Sequence, residues 1–346
     1  MAIPATQKQW IIQGAGKGLD ELAYQEGPVP KLGETDVLVK LRAASLNYRD
    51  LLIPNGQYVF PLNLPIVACS DGAGEVVAVG GRVTKWKPGD RVVTLFNQGH
   101  QRGPIDEAAT RTGLGGCVDG TLRQYGAFDQ DGLVRMPAHL GFVEAATLPC
   151  AALTSWNALY GLRPLRAGET VLVQGTGGVS LFALQFAKAA GATVIATTSS
   201  AKKAEALKRL GADHVINYRE DASWGETARK LTPGGAGVDH VIEVGGENTM
   251  TQSLRAIKYE GVISIIGMLG GFRPKDSIME ALAHVCVIRG VYVGSKAQME
   301  EMVEAMEKHA IHPVLDDNVF TLDTAREAFE HLLNQKHFGK IGIKID

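Results

Sequence analysis

The chain has 346 residues, of which 45% are hydrophobic and 21% are charged, and its formal net charge is −2. This length fits about two domains, and this balance is typical of a soluble globular protein. Without a lysine–arginine block the sequence does not indicate nucleic-acid binding, and no run reaches the ~18 apolar residues that a membrane span requires. The first twelve residues lack the basic start and apolar run of a signal peptide, so we expect a cytoplasmic protein.

The cysteines stand far apart in the chain, and neither Cys-x-x-Cys nor His-Glu-x-x-His occurs. They are Cys69, Cys117, Cys150 and Cys286. This spacing is neither that of a disulfide framework nor that of a usual structural zinc site. The sequence therefore predicts no metal site.

The part of the chain up to Tyr125 consists of strand-like segments interrupted by turns. Val37–Leu41 and Gly74–Gly80 are rich in β-branched residues, and the Pro-Gly turn in Lys87–Val93 leads into another strand. These segments predict a small, mainly β domain.

From Leu165 onward, strand-like and helix-like segments alternate. The predicted strands are Val171–Gln174, Thr193–Thr197, His214–Asn217, Asp239–Val244, Val262–Ile266 and Val285–Val293, and the predicted helices are Val179–Ala190, Ala201–Leu210 and Ser295–His309. Strands separated by helices indicate a parallel sheet covered on both faces, hence an α/β doubly wound fold. The last segments, a helix at Ala325–Leu333 and an alternating strand at Lys340–Ile345, suggest that the tail returns to the first domain. The active site would then lie in the cleft between the domains.

The segment Gly168–Ser180 carries the most informative pattern, a strand followed by a glycine-rich turn and a helix. Gly175 permits the tight turn, and Gly177 lets the backbone approach a pyrophosphate at the helix N-terminus. Ser180 replaces the third glycine of the fingerprint with another small residue. We predict a dinucleotide site with contacts from Gly175, Thr176, Gly177, Gly178 and Val179, the alternative being a glycine-rich helix start that binds nothing.

The end of the second strand of this unit indicates which dinucleotide binds. An NAD-preferring site usually has an acidic residue about 20 positions after the first glycine. Here Thr198, Ser199 and Ser200 are followed by Lys203 without a carboxylate, and hydroxyls and an ammonium group attract a 2′-phosphate. We therefore predict that the cofactor is NADPH. The alternative is that Lys202 and Lys203 are only solvated residues at the start of a helix.

Several segments together resemble the medium-chain dehydrogenase/reductase superfamily. They are Ala44–Asp50, Gly72–Gly80, Pro88–Val92 and the Gly175 loop. The resemblance covers almost the whole chain in the right order. It implies a GroES-like substrate domain over residues 1–150, a Rossmann domain over 151–292, and a return to the substrate domain over 293–346.

In zinc alcohol dehydrogenases of this superfamily, two cysteines and a histidine hold a catalytic metal. Matched residue by residue, Asn47 stands at the first cysteine position, Ser70 at the histidine, and only Cys150 remains where the second cysteine would lie. The segment Phe96–Thr121, which would hold four cysteines of a structural zinc lobe, contains Cys117 alone. Since one thiolate cannot hold Zn²⁺, the resemblance implies no zinc in either place, and we interpret Cys150 as a small buried residue.

What remains is similar to the zinc-free quinone oxidoreductases and their enoyl- and alkenal-reductase relatives. Ser45–Asp50 is typical of that branch and Gln185 and Lys188 fit it, whereas Thr176 and Ser180 depart from it. The resemblance implies an NADPH-dependent reductase of quinones or α,β-unsaturated carbonyls. A zinc-free or atypical alcohol or aldehyde oxidoreductase and a non-catalytic nucleotide-binding protein are the alternatives.

Reduction of an activated double bond without a metal needs a hydrogen-bond donor near the carbonyl oxygen. Tyr48 is the first candidate because its motif stands where the metal site would be, and Tyr58 is a second phenol. Asn47 can donate to cofactor or substrate, and Asp50 orients the loop. A packed, non-catalytic Tyr48 is an open alternative, and we interpret Arg49 as part of a structural salt bridge.

Position in relatives implies further contacts to the cofactor, made by Tyr218, by the backbone of Gly267, Met268, Leu269, Tyr292 and Val293, and by Lys340. For Lys340 an ordinary edge-strand lysine is an equal alternative.

The last strand of the Rossmann sheet would be an unpaired edge that favours pairing with another strand, so we expect a homodimer about a twofold axis.

Overall fold

The structure, a computed structural model, describes residues 3–271 and 276–346. It forms two compact units: unit 1 comprises Met1–Leu153 and Gly294–Asp346, and unit 2 comprises Thr154–Val293. The sequence placed these boundaries after residues 150 and 292. Every helix within the described ranges is too short or too polar to cross a bilayer.

The strands of the described residues are numbered in chain order. They are β1 (Thr6–Ile12), β2 (Leu22–Pro28), β3 (Asp36–Ser45), β4 (Ile66–Val67), β5 (Asp71–Val79), β6 (Arg91–Thr94), β7 (Tyr125–Asp129), β8 (Leu133–Arg135), β9 (Thr170–Gln174), β10 (Thr193–Thr198), β11 (His214–Asn217), β12 (Val238–Glu243), β13 (Ile257–Ile265), β14 (Val287–Gly290), β15 (Phe320–Thr321) and β16 (Gly342–Lys344).

The α-helices are numbered in the same way. They are α1 (Arg49–Leu52), α2 (Glu107–Thr110), α3 (Phe142–Ala145), α4 (Leu153–Tyr160), α5 (Gly178–Ala189), α6 (Ala201–Arg209), α7 (Trp224–Lys230), α8 (Met250–Ala256), α9 (Glu280–Ala283), α10 (Lys296–Lys308) and α11 (Ala325–Leu333). Short 3₁₀ turns lie at Gly18–Glu21, Gln130–Gly132, Pro233–Gly235 and Gly246–Asn248, and a π-helical turn, Leu148–Ala152, precedes α4.

Unit 1 is built on a seven-stranded sheet with the order β15-β16-β3-β5-β6-β8, in which β7 also pairs with β3, and on a smaller sheet β2-β1-β4. The C-terminal strand β16 runs antiparallel to β3, with Gly342 opposite Ser45. Ile343 is therefore buried in the same core as Leu41. The predicted GroES-like domain, completed by the end of the chain, is confirmed.

Unit 2 contains a six-stranded parallel sheet with the order β11-β10-β9-β12-β13-β14. The chain begins in the middle with β9, builds outward to β11, and then crosses to β12 on the other side. This is the doubly wound arrangement, with its switch point between β9 and β12. The predicted Rossmann fold is confirmed.

The last strand of this sheet is shorter than the sequence predicted. β14 covers Val287–Gly290 instead of Val285–Val293. Val285 and Val293 have φ of 47° and 52°, and this left-handed conformation ends extended backbone on both sides. The apolar pattern therefore continued beyond the strand itself.

Candidate functional site

The glycine loop lies between β9 and α5, at the carboxyl end of the parallel sheet. Gly175 has φ +73°, which a residue with a side chain rarely adopts, and Gly177 is the N-cap of the 12-residue helix α5. A Cβ placed on either glycine would meet no atom within 4 Å, so open space faces the loop. Thr176 is mostly buried between them, and Gly178 and Val179 form the first helical turn. These residues can present backbone amides to a pyrophosphate.

A hydrogen bond made by Ser180 explains why serine can replace the third glycine of the fingerprint. Ser180 is 1% exposed, and its hydroxyl donates to the carbonyl oxygen of Gln174 at 2.6 Å. The serine therefore links the first turn of α5 to the last residue of β9. A small polar residue performs the packing role of the third glycine and adds a hydrogen bond.

The residues predicted for the 2′-phosphate lie together at the ends of β10 and β11. Thr198 is the last residue of β10, and its carbonyl accepts from the amide of Tyr218 at 3.0 Å. Ser200 caps α6 by accepting from the backbone amide of Lys203. Ser199 lies between these two hydroxyl residues, and the Tyr218 side chain is partly exposed. The structure thus brings the predicted hydroxyls, phenol and ammonium-bearing residue to one corner of unit 2.

The remaining contacts predicted in unit 2 follow β13 and β14. Gly267, Met268 and Leu269 form the loop after β13, and the amide of Leu269 donates to the carbonyl of Val244 at 3.2 Å. Tyr292 and Val293 follow β14, where the carbonyl of Val293 accepts from Asn157 at 2.7 Å. All of them lie after the carboxyl ends of parallel strands, where ligands of doubly wound sheets bind.

Sequence reasoning missed Glu243 and Gln174, the last residues of β12 and β9. Glu243 is fully buried and accepts hydrogen bonds from the Gln174 amide and from the backbone of Gly245 and Gly246. A carboxylate at the end of a buried strand, separated by one residue from two consecutive glycines, is a signal that could have identified Glu243.

In unit 1, the loop before α1 is held by a buried carboxylate. Asp50 Oδ2 accepts from the backbone amide of Asn47 at 2.8 Å, which supports the predicted orienting role of Asp50. Burial raises the pKa of Asp50 to about 6, although the neighbouring Arg49 guanidinium opposes the rise. The side chain of Asp50 is completely inaccessible to solvent.

Arg49 forms the centre of a packed cluster with two aromatic rings. Its guanidinium lies 4.8 Å from the ring centre of Tyr58 and 4.9 Å from that of Phe96. Its Nε donates to the Tyr58 hydroxyl at 3.1 Å, and its Nη1 lies 3.4 Å from Asp50. The salt bridge predicted for Arg49 is present, and Tyr58 supports that arginine.

Tyr48 differs from Tyr58 in its surroundings. It precedes α1 and is 37% exposed. Its hydroxyl makes no hydrogen bond with another residue of the described ranges. Of the two predicted phenols, Tyr48 is the one that can present its hydroxyl to a ligand.

Lys340 lies just before β16 and is 4% exposed, so it is not an ordinary edge-strand lysine. Its ammonium group donates to the Leu46 carbonyl at 2.5 Å and to Asn47 Oδ1 at 2.6 Å, and it lies 3.4 Å from Asp71 Oδ2. Burial raises the pKa of Asp71, and the Lys340 charge opposes that rise. The Lys340 ammonium group therefore supplies positive charge beside Asp71 and beside Asn47, which stands at one of the positions that the resemblance associated with a metal.

The side chains at the matched ligand positions do not fit zinc. Asn47 offers an amide whose oxygen already accepts from Lys340, and the Ser70 hydroxyl donates to Asp71 at 3.1 Å. Cys150 lies on the π-helical turn, where burial raises the pKa of its thiol to about 12, with a further rise from Asp71. Within residues 3–271 and 276–346, no three histidine, cysteine, aspartate or glutamate side chains are placed to hold a metal.

Two family matches cover most of the chain. Residues 33–138 match the alcohol dehydrogenase GroES-like domain, and residues 178–308 match the zinc-binding dehydrogenase family. A zinc-type alcohol dehydrogenase-like protein of Schizosaccharomyces pombe is 44% identical over 98% of this chain and 99% of its own length.

Two solved structures have the same fold over nearly the whole chain. An NAD-dependent alcohol dehydrogenase superposes with a TM-score of 0.88 at 32% identity, covering 98% of this chain and 100% of that one. The 2-octenoyl-CoA carboxylase reductase CinF, in complex with NADP and 2-octenoyl-CoA, gives a TM-score of 0.85 at 26% identity, covering 99% and 88%. With its GroES-like and Rossmann units, the chain belongs to the medium-chain dehydrogenase/reductase superfamily of oxidoreductases.

Proposed function

We propose that this protein is an NADPH-dependent oxidoreductase that transfers hydride to a quinone or an α,β-unsaturated carbonyl compound without a catalytic metal. The reaction class is supported by the side chains at the three matched ligand positions of unit 1, which are an amide, a hydroxyl and a single thiol. Without a Lewis acid to polarise an alcohol oxygen, an acceptor that is already activated is the more suitable substrate.

The cofactor proposal rests on unit 2. The loop from Gly175 to Val179 would hold the diphosphate, and Ser199, Ser200, Lys203 and Tyr218 would hold a 2′-phosphate. NADPH supplies a hydride when bound. The two solved structures named above carry NAD and NADP in their names, so the preference for NADPH depends on this chain's own residues. The CinF complex also contains 2-octenoyl-CoA, an α,β-unsaturated thioester.

The first test is an assay of purified protein with NADPH or NADH against quinones, enones, enals and aldehydes, with and without a chelator. We expect turnover of quinones or enones with NADPH, unchanged by the chelator and without stoichiometric zinc by elemental analysis. Turnover that requires zinc would contradict the proposal of a metal-free reaction. Failure to bind either dinucleotide would contradict the proposal that this protein is a dinucleotide-dependent enzyme.

A pair of adjacent lysines tests the phosphate site. Lys203→Ala should lower the ratio of kcat/KM for NADPH over NADH by at least about tenfold, because a charge-assisted hydrogen bond contributes about 1.5–3 kcal/mol. Lys202→Ala is the matched control, since Lys202 is exposed on the same helical turn. Equal ratios in both variants and in the wild type would place the phosphate elsewhere.

The two tyrosines of unit 1 should separate catalysis from stability. If Tyr48 donates to the substrate oxygen, Tyr48→Phe should lower kcat by about 100-fold with little change in Tm. Tyr58→Phe removes the acceptor of Arg49 and should lower Tm with a smaller effect on kcat. Full activity of Tyr48→Phe would transfer the donor role to Asn47 or to water.

An alcohol or aldehyde oxidoreductase is the second candidate, favoured by the similarity to an NAD-dependent alcohol dehydrogenase. Oxidation of simple alcohols with NADP or NAD by metal-free protein would support it over enone reduction. The same assay panel distinguishes both enzymes from a non-catalytic nucleotide-binding protein, which would bind NADPH without turnover.

We also propose that two copies of this chain associate through unit 2. The strand β14 ends the sheet and pairs with β13 on one side. Apolar side chains exposed before and within it include Ile278, Met279, Leu282 and Val287, with Leu282 70% exposed. An edge strand flanked by exposed apolar residues favours pairing with a second copy.

A further inference from the structure

Unit 2 contains a carboxylate that is buried without an opposing charge. Glu243 is 0% exposed, and within the described part of the chain no lysine, arginine or histidine forms an ion pair with it. A buried charge without a partner is strongly unfavourable unless hydrogen bonds replace its hydration. The number and origin of those hydrogen bonds therefore indicate what the charge is retained for.

Five donors surround the Glu243 carboxylate. Oε1 accepts from the backbone amides of Gly245 at 2.9 Å and Gly246 at 3.0 Å, and from the Thr249 hydroxyl. Oε2 accepts from Gln174 Nε2 at 2.8 Å and from the Ser253 hydroxyl. The two hydrogen bonds from the backbone amides of Gly245 and Gly246 fold the chain after β12 back over the end of that strand.

Gln174 extends this arrangement to the central strand of the sheet. Its side-chain oxygen accepts from the amides of Val244 at 3.1 Å and Gly245 at 3.3 Å. Its carbonyl oxygen accepts from Ser180 in the first turn of α5. Gln174 is also the residue directly before the glycine loop, so one side-chain pair connects that loop to the chain after β12.

The backbone connects the same place to a third loop. The Glu243 carbonyl accepts from the amide of Ile266 at 2.8 Å, and the Gly245 carbonyl accepts from Gly270 at 2.7 Å. The loop after β13, which contains the predicted contacts Gly267 to Leu269, is thereby joined to the loop after β12.

The network lies at the switch point of the parallel sheet. β9 and β12 are adjacent parallel strands with Val173 paired to Ile242, so Gln174 and Glu243 end side by side at the point where the strand order reverses. Ligands of doubly wound sheets bind outside this point. A ligand that contacts three loops loses less free energy on binding if those loops are already ordered.

We propose that Glu243 is a positioning residue: together with Gln174 it holds the three loops at the switch point in the conformation that binds a dinucleotide. This inference rests on the proposed nicotinamide cofactor and deepens it. Glu243 does not touch the reacting atoms, and the network does not involve the residues assigned to the 2′-phosphate. NADPH and NADH should therefore depend on it equally.

The test compares Glu243→Gln with Asp239→Asn, a matched variant at the other end of the same strand. Asp239 is also buried and accepts from the Thr170 amide at 2.8 Å and from Arg163 and Lys258. Both substitutions remove a buried charge and should lower Tm. Glu243→Gln should also raise the Kd of NADPH and NADH by at least about tenfold, whereas Asp239→Asn should change neither Kd by more than about twofold.

Hydrogen exchange in the absence of dinucleotide gives an independent readout. The amides of Gly245, Gly246 and Gly270 should exchange faster in Glu243→Gln and at the wild-type rate in Asp239→Asn. Wild-type Kd values in Glu243→Gln, or an equal loss of affinity in both variants, would overturn the inference and leave the proposed function intact. A wild-type protein that binds no dinucleotide would instead end the proposed function.

A second pair of variants covers the case in which Glu243→Gln does not fold. Thr249→Val removes one donor from the carboxylate, and Thr249→Ser retains the hydroxyl. We expect the Kd of NADPH to rise about three- to tenfold in the valine variant and to stay near the wild-type value in the serine variant. The same Kd in both would overturn the inference.

Discussion

Lys340 provides the sharpest test of the electrostatics of unit 1. Replacing it by methionine retains most of its volume but leaves Asp71 buried without its partner, and it removes the donors to Leu46 and Asn47. Breaking a buried pair by removing one member costs about 3–5 kcal/mol. We therefore expect Lys340→Met to lower the free energy of unfolding by about 3–5 kcal/mol at pH 7.5.

The pH dependence of this variant should have a definite sign. The pKa of Asp71 is already raised by burial, and loss of the Lys340 charge must raise it further. A carboxyl whose folded pKa lies above its unfolded value destabilises the protein when it is ionised. The loss of unfolding free energy in Lys340→Met should therefore become smaller as the pH falls from the raised pKa of Asp71 toward the ordinary pKa of an aspartate.

Urea unfolding followed by circular dichroism at pH 7.5 and 5 measures both effects. Lys344→Met, at an exposed position in β16, is the matched control and should cost less than about 0.5 kcal/mol. In an Asp71→Asn background the cost of Lys340→Met should fall by about 2 kcal/mol, since the uncompensated charge is gone. A cost below about 1 kcal/mol, or one unaffected by Asp71→Asn, would refute the reasoning.

Three shorter predictions concern unit 2. Gly175→Ala should weaken dinucleotide binding by at least about tenfold in calorimetry. Gly168→Ala is the control, because Gly168 lies before β9 with φ +83° and equally open space around it. It should lower stability by a similar amount and leave the Kd of the dinucleotide unchanged. Burial and the nearby Arg163 lower the pKa of His240 to about 4, so stability present above pH 6.5 is lost as the pH falls toward 4. That loss reaches about 2 kcal/mol by pH 5, and urea unfolding of His240→Gln should not show it. Leu282→Glu should convert a dimer into a monomer in light scattering; a wild-type monomer would contradict the proposed interface.

The sequence predicted the fold well where periodicity and turn chemistry agree. The segment Val171–Gln174 followed by Gly175 was recognisable because a buried parallel strand is continuously apolar and its turn needs a left-handed residue. The limits of β14 were not, because the apolar run continues through Val285 and Val293, whose positive φ depends on tertiary contacts. Local pattern specifies the element better than its ends.

The site was less predictable, because its polar pairs are distant in sequence. Lys340 and Asp71 are separated by 269 positions and Gln174 and Glu243 by 69. No local pattern relates such residues, and each pair exists only because β16 joins β3 or because β12 lies beside β9. The residue types at the strand ends were informative, but their partners required the fold.

The charges of unit 1 also constrain how a metal site could be restored. The carboxylates of Asp50 and Asp71 are completely buried, and the cations of Arg49 and Lys340 are nearly so. The ammonium group of Lys340 also donates a hydrogen bond to the side-chain oxygen of Asn47. Two buried carboxylates opposed by two buried cations leave no uncompensated negative charge to attract Zn²⁺. Cysteine at position 47 and histidine at position 70 would supply ligands, but the lysine charge would still oppose the metal. The electrostatic environment, as much as the missing ligands, therefore argues for a reaction in which fixed hydrogen-bond donors polarise the substrate.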